Sequence, residues 1–179
     1  MAVQIGAKPD SGFDDPLGML KDCHRRIERF LLILCHVADH AGARPLTSEE
    51  RDAVESAIRY FQVGGQRHNQ DEEESLFPRL RSATPQHVEG FEEIDRLEED
   101  HRQAGELHAL IERLFAAWIA TGAISLPCRE ELQNATRRLQ GLYAEHIKIE
   151  ETTVFPNAAR VLNADALAKI GAEFQARRA

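Results

Sequence analysis

The segment HNQDEEESLFP at 68–78 returns in altered form as HIKIEETTVFP at 146–156, each reading histidine, three residues, Glu-Glu, three residues, Phe-Pro. In a helix, residues four apart lie about 40° around the axis and one turn along it, so each HxxxE aims an imidazole and a carboxylate at one spot. Both segments continue apolar stripes of 3.6-residue period, so that spot lies inside the fold. A carboxylate taken into an apolar interior without a partner costs several kcal/mol, a large share of one domain's stability. A chain that does this twice has to bring something positive to both glutamates.

The punctuation divides the chain into helices. Asp15 before Pro16 predicts an N-cap and first-turn proline, and the apolar spacing continues from there to Ala41-Gly42. Thr47 with Glu50 three places later predicts a capping box that opens a second helix, expected to end at the first Phe-Pro. A third is expected from near Thr84-Pro85 to Gly122. A fourth runs from Ser125–Pro127 to the second Phe-Pro, and Asn163 caps a short fifth. Nowhere do apolar and polar residues alternate as a half-buried strand requires. The expected class is all-α, an up-down-up-down four-helix bundle with a short C-terminal fifth helix, because short connections make neighbouring helices antiparallel. Residues 1–13 are expected to form a loose tail and 14–179 the domain.

The inward stripes are Leu17, Leu20, His24, Ile27, Leu31 and Leu34 on the first helix, and Val54, Ile58, Phe61, Gly65, His68, Glu72 and Leu76 on the second. The third carries Ile94, Leu97, His101, Ala104 and His108, and the fourth Leu132, Ala135, Leu139, Leu142, His146 and Glu150. The two interhelical turns at 42–48 and 122–127 fall at the same end of such a bundle. His24, His68, His101 and His146 stand nearly equal numbers of residues from that end, so they fall within roughly 5 Å of one another along the axis. The separation from His24 to His68 matches that from His101 to His146 to within one residue, which makes the chain a helical hairpin used twice. Four imidazoles and two carboxylates in one core layer form a metal site suited to iron, zinc or manganese, and the lack of thiolates argues against a closed structural zinc site. If each carboxylate bridges, the protein supplies about eight bonds to two ions and leaves open positions for water, an oxo bridge or a small ligand.

Composition removes other classes. Apolar residues make up 42% and charged residues 29% of 179, which excludes disordered and fibrous chains. A net charge of −8 without a basic run repels phosphate backbones and anionic lipid, so neither nucleic acid nor a membrane surface is an expected partner. Cys23, Cys35 and Cys128 form no CxxC pair and no even set, so they read as small apolar residues in a reducing compartment. With no basic, apolar leader at the start and no span long enough for a bilayer, the expected location is cytoplasmic.

The order His, HxxxE, His, HxxxE, with DDPLGMLKDCH around the first histidine and Phe-Pro after each pair, resembles the hemerythrin-like or HHE cation-binding domain family over about Asp14 to Pro156. The resemblance implies a four-helix bundle, as in myohemerythrin. It further implies a non-haem di-iron centre, oxo- or hydroxo-bridged, with iron ligation by His24, His68, His101 and His146 and with Glu72 and Glu150 as bridging carboxylates. Oxygen-carrying members have HxxxH on the third helix, whereas Gly105 stands four residues after His101 here; they also have an aspartate where this chain has Glu150.

The loss of that fifth histidine leaves a more open iron, a weaker second site or a replacement ligand. His108 lies roughly 10 Å along the axis from His101, too far to ligate without a distorted helix, and is expected to be a hydrogen-bonded core residue. Glu73 and Glu106 are expected to support the ligands or to be solvated, and His36, His40 and His87 to be surface residues. Glu28, Asp100 and Glu145 are candidate acceptors for the second ring nitrogens of the histidines. Gly64-Gly65, costly in a helix interior, suggests close helix approach, a passage for a small ligand or a local kink. Tyr143, one turn before His146, is either a donor to a bound ligand or a core-edge tyrosine.

Two function classes follow. One binds or senses a small ligand such as O2, NO or peroxide in the bundle core. The other is a stress-response metalloenzyme that removes peroxide or NO or donates iron for cluster repair. A third, an interaction bundle with an adventitious ion, would keep its fold and partners when the metal is removed. Homodimerisation is left open.

Overall fold

A computed structural model of the chain describes residues 10–83 and 91–179. Among the described residues, five helices form the fold. α1 spans Pro16–His40 and is capped by Asp15, whose side chain accepts from the Gly18 N–H. α2 runs over 48–83: α-helical at Ser48–Tyr60, Gln66–Gln70 and Phe77–Ala83, with wide π turns at Phe61–Gly65 and Asp71–Leu76. Both halves of the Thr47–Glu50 capping box are made. α3 is Phe91–Thr121. α4 covers 126–161, with Ser125 as its cap and a π turn at Glu150–Val154. α5, Ala164–Ala176, is capped by Asn163, whose side chain accepts from the Ala166 N–H. The expected start of the third helix near Thr84-Pro85, and His87, lie outside the described residues.

α1 packs against α2 and α4, and α3 packs against α4. α1 and α3 each end in a glycine of positive φ, Gly42 at 71° and Gly122 at 70°, the left-handed closing residue that other side chains resist. The two turns meet at one end of the bundle, where the Trp118 indole N–H donates to the Arg44 carbonyl at 2.9 Å.

One expectation is corrected. Neither Phe-Pro ends its helix; α2 and α4 both continue beyond it. In each case a π turn precedes the proline. The Phe77 N–H bonds the Glu72 carbonyl five residues back, and the Phe155 N–H bonds the Glu150 carbonyl in the same way. The hydrogen-bond ladder therefore changes register where Pro78 and Pro156 follow, and a residue without an N–H falls where a ladder bond is already skipped.

The core has two apolar compartments. The first, toward the glycine turns, contains Ile27, Leu31, Leu34, Phe61, Ile111, Trp118 and Leu139. The second, at the other end, contains Leu20, Leu76, Phe77, Leu97, Phe155, Ile170 and Phe174. The four stripe histidines lie between them. α5 closes the second compartment with Ile170, Gly171 and Phe174.

The first nine residues of the expected tail lie outside the described residues. Residues 10–13 are held against the domain: Ser11 donates its backbone N–H to Asp22, Arg26 reaches Asp10, and Phe13 packs on the second compartment. A Cβ on Gly171 would lie 1.9 Å from the Phe13 carbonyl oxygen, so this close approach requires glycine. Gly171→Ala is expected to lower stability by about 1–3 kcal/mol through overpacking, measured by urea denaturation.

Candidate metal centre

Each of the four stripe histidines reaches the layer between the compartments, and none is more than 6% exposed; Glu72 and Glu150 are fully buried beside them. Two overlapping groups form. His24 and His68 converge with Glu72 and Glu150, and His101 and His146 converge with the same two glutamates, the ligand-type atoms of each group lying within 4.8 Å of one another. Glu72 divides its oxygens between the groups: Oε1 is 3.5 Å from His68 Nε2 and Oε2 is 3.3 Å from His101 Nε2. Glu150 Oε2 lies 3.0 Å from His24 Nε2 and 3.4 Å from His146 Nε2.

The outer ring nitrogens show how the repeat works. His24 Nδ1 is 2.9 Å from Glu151 Oε1, and His101 Nδ1 is 2.6 Å from Glu73 Oε1. Phe155 stacks on His24 at 5.5 Å and Phe77 on His101 at 6.4 Å between ring centroids. Thus each HxxxEExxxFP motif contributes a histidine and a glutamate to the centre. Its second glutamate and its phenylalanine then hold the histidine of a facing helix, α4 serving α1 and α2 serving α3. Asp100 approaches His146 Nδ1 at 3.5 Å, as expected. Glu28 and Glu145 do not take such roles; they pair with Arg25 and Lys148 at the surface. Glu151 was missed in the sequence, although the doubled Glu-Glu of the repeat marked it. Arg25 also reaches Glu151 from the solvent side.

These contacts test whether a cation fits. Nδ1 of His24 and of His101 must carry hydrogen to donate to a carboxylate, so whenever either ring is neutral its Nε2 presents a bare lone pair. His24 Nε2 then faces an anionic oxygen, and His101 Nε2 faces His146 Nε2 at 3.2 Å. No oxygen of Glu72 or Glu150 meets a donor with hydrogen-bond geometry, and neither do His24 Nε2 and His68 Nδ1. Lone pairs and anionic oxygens that converge without donors are the arrangement a cation satisfies. A layer of N and O donors without thiolate suits first-row transition ions.

The electrostatics agree. Burial, reinforced by His24, pushes the His68 imidazole well below its ordinary range, and burial with the facing Glu150 pushes the Glu72 carboxyl well above its own. Burial acts upward on Glu150 too, but His146 and His24 outweigh it and hold that carboxyl well below the usual range. Burial works against a charge on His146, yet Glu150 and Asp100 raise it to about 9. The shifts describe a layer in which burial works against the charged forms and only neighbouring groups of opposite sign offset it.

The remaining sequence candidates fall outside the layer. His108 shares a hydrogen bond of 3.1 Å with the Tyr143 hydroxyl and packs on Phe61 at 4.2 Å; burial lowers it to about 4, so it is a neutral core imidazole. Glu106 pairs with Arg102 at the surface, and His36 and His40 are exposed and stack on each other.

An antiparallel helical bundle with two buried His/Glu clusters that share two carboxylates has the geometry of a bundle protein that can hold two metal ions. Residues 15–165 match the Hemerythrin HHE cation binding domain, and the chain belongs to that family. A protein of Haemophilus influenzae, described only as uncharacterized, is 28% identical over 169 residues, which cover 93% of this chain and 91% of its own.

Glu73→Gln and Glu151→Gln are each expected to weaken metal binding by about 10- to 100-fold, while Glu28→Gln and Glu145→Gln leave it unchanged. Competition against a chromophoric chelator measures all four.

Proposed function

We propose that the chain holds a pair of iron ions, with His24 and His68 on one, His101 and His146 on the other, and Glu72 and Glu150 between them, and that this centre binds a small ligand such as O2, NO or peroxide. The observation that carries the reading is the sharing of two fully buried carboxylates by two imidazole pairs, with no donor aligned on any of the four oxygens. Zinc or manganese could substitute in such a donor set. When bound, the metal pair supplies redox and Lewis-acid chemistry; the protein supplies the ligands, their orientation and a dry enclosure.

A cavity of about 230 Å³ supports ligand entry. Its lining includes Phe61, Gly65, Asn69, Gly105, His108 and Tyr143, close to one turn from the histidine layer. Gly105 is exposed on the rim of this cavity, and nothing lies within 4 Å of the point where a Cβ on it would stand, so the place of the absent fifth histidine opens toward solvent. The Gly64-Gly65 pair sits in the π turn on the facing wall of α2, in keeping with a passage at that level.

One observation favours turnover of peroxide or NO as a second reading. The buried Tyr143 hydroxyl, kept protonated by burial and bonded to the neutral His108, places a hydrogen-bond donor in the cavity wall one turn from His146. Three free thiols fit a reducing, cytoplasmic setting, and among the described residues no helix is long and apolar enough to cross a membrane.

Protein from iron-supplemented cells is expected to carry two irons per chain and the visible absorption of a bridged pair. Glu72→Ala and Glu150→Ala abolish stable loading and His36→Ala does not; equal metal content in all three variants refutes the ligand assignment. Gly105→Leu is expected to leave iron content intact and slow azide binding, followed by stopped-flow absorbance. Rapid catalytic loss of added peroxide by the wild type would select the second reading.

A further inference from the structure

The two halves of the centre are not supported alike. His24, His101 and His146 each have a carboxylate at Nδ1, but His68 Nδ1 has no partner. The repeat shows why: Asp100, which serves His146, immediately precedes His101, and the residue immediately before His24 is Cys23. Both glutamates are approached by two imidazoles, so the difference between the halves lies at His68. The α2 half, His68 and Glu72, has less internal support, and Glu72 rides on the π turn Asp71–Leu76. Such wide turns are rare and persist where surroundings stabilise them.

That turn is gripped from outside the four-helix layer. Asp71, immediately before Glu72, has a carboxylate only 1% exposed. Its Oδ1 accepts from Arg177 Nη1 at 2.9 Å and from Arg178 Nη1 at 3.3 Å, and its Oδ2 accepts from Arg178 Nη2 at 2.6 Å. Arg177 also donates to Ser75 Oγ at 2.8 Å and to Glu74 at 3.2 Å, so one guanidinium spans the turn. Arg178 is anchored in turn on the Phe174 carbonyl of α5 at 2.8 Å. The other repeat has no counterpart, because Ile149 stands where Asp71 would be. The arginines follow α5, whose residues lie almost wholly beyond the 15–165 segment of the family match.

We propose that Arg177 and Arg178, acting through Asp71, are positioning residues for the α2 half of the metal centre, so that α5 is a clamp on the turn that presents Glu72. This rests on the binuclear reading above. A carboxylate buried and shared by two forked guanidiniums is rigid, whereas an exposed pair contributes little. The neighbouring Arg79–Glu173 pair also docks α5 on α2, and Arg79 donates to the Ser75 carbonyl of the same turn at 2.8 Å, but neither residue touches Asp71, so removing Glu173 separates docking of α5 from the grip on Asp71.

The test compares wild type, Arg177→Ala/Arg178→Ala, Glu173→Ala and Arg177→Lys/Arg178→Lys, each loaded with iron and held well below its unfolding temperature. Iron release to a chelator is expected to be about 10- to 100-fold faster in the double alanine variant, with an altered visible spectrum, and unchanged for Glu173→Ala. The double lysine variant, which keeps both charges on Asp71, should recover part of the retention. Amide hydrogen exchange on the metal-free proteins gives a second readout: protection of 72–76 falls in the double alanine variant and not in Glu173→Ala. Wild-type release kinetics and protection in the double alanine variant overturn the clamp, as does equal acceleration by Glu173→Ala, which would make α5 docking alone responsible. A wild type that takes up no metal refutes the binuclear reading instead, and the exchange data then still decide whether the arginines hold the turn.

Discussion

Two glutamates with no aligned hydrogen-bond donor, set in the middle of an apolar bundle, are the constraint around which this structure is arranged. Neither could persist there as a bare anion. Four imidazoles approach them from four helices, and apolar compartments lie on either side of the layer. Burial and the facing Glu150 push the Glu72 carboxyl up, while His146 and His24 hold Glu150 down against its own burial. The layer is balanced for a cation, and the family to which the chain belongs is one of cation-binding domains.

The repeat is economical because it is reciprocal. A single eleven-residue motif supplies ligand-type atoms on its own helix and support for the histidine across from it, through Glu73 and Phe77 in one copy and Glu151 and Phe155 in the other. The π turns are part of the same device, since in each copy the glutamate's carbonyl takes the five-residue bond from the motif's phenylalanine. Departures from the twofold pattern concentrate at the α2 half: Cys23 in place of an aspartate, Asp71 in place of an isoleucine, and the arginines that meet Asp71. Where internal support is thinner, an additional helix supplies an external one.

The cavity beside Gly105 gives the centre a direction. The protein fills the space on one side of the layer with Phe77 and Phe155 and leaves space on the other between α2 and α3, with Tyr143 and His108 as its polar wall. Under the reading proposed above, this space is where a small molecule would approach the centre.

The sequence by itself determined the helices' caps, the apolar stripes and the depth of the six layer residues, because these depend on the 3.6-residue period and on end groups a few positions apart. It also pointed to Asp100, and its doubled Glu-Glu held a signal for Glu73 and Glu151. Only the tertiary structure decided that the helices run through Phe-Pro, that Glu28 and Glu145 face solvent, and that Asp71 is buried against Arg177 and Arg178. Those outcomes depend on contacts between segments about a hundred residues apart and on a shift of helical register, and neither leaves a local periodic trace in the chain.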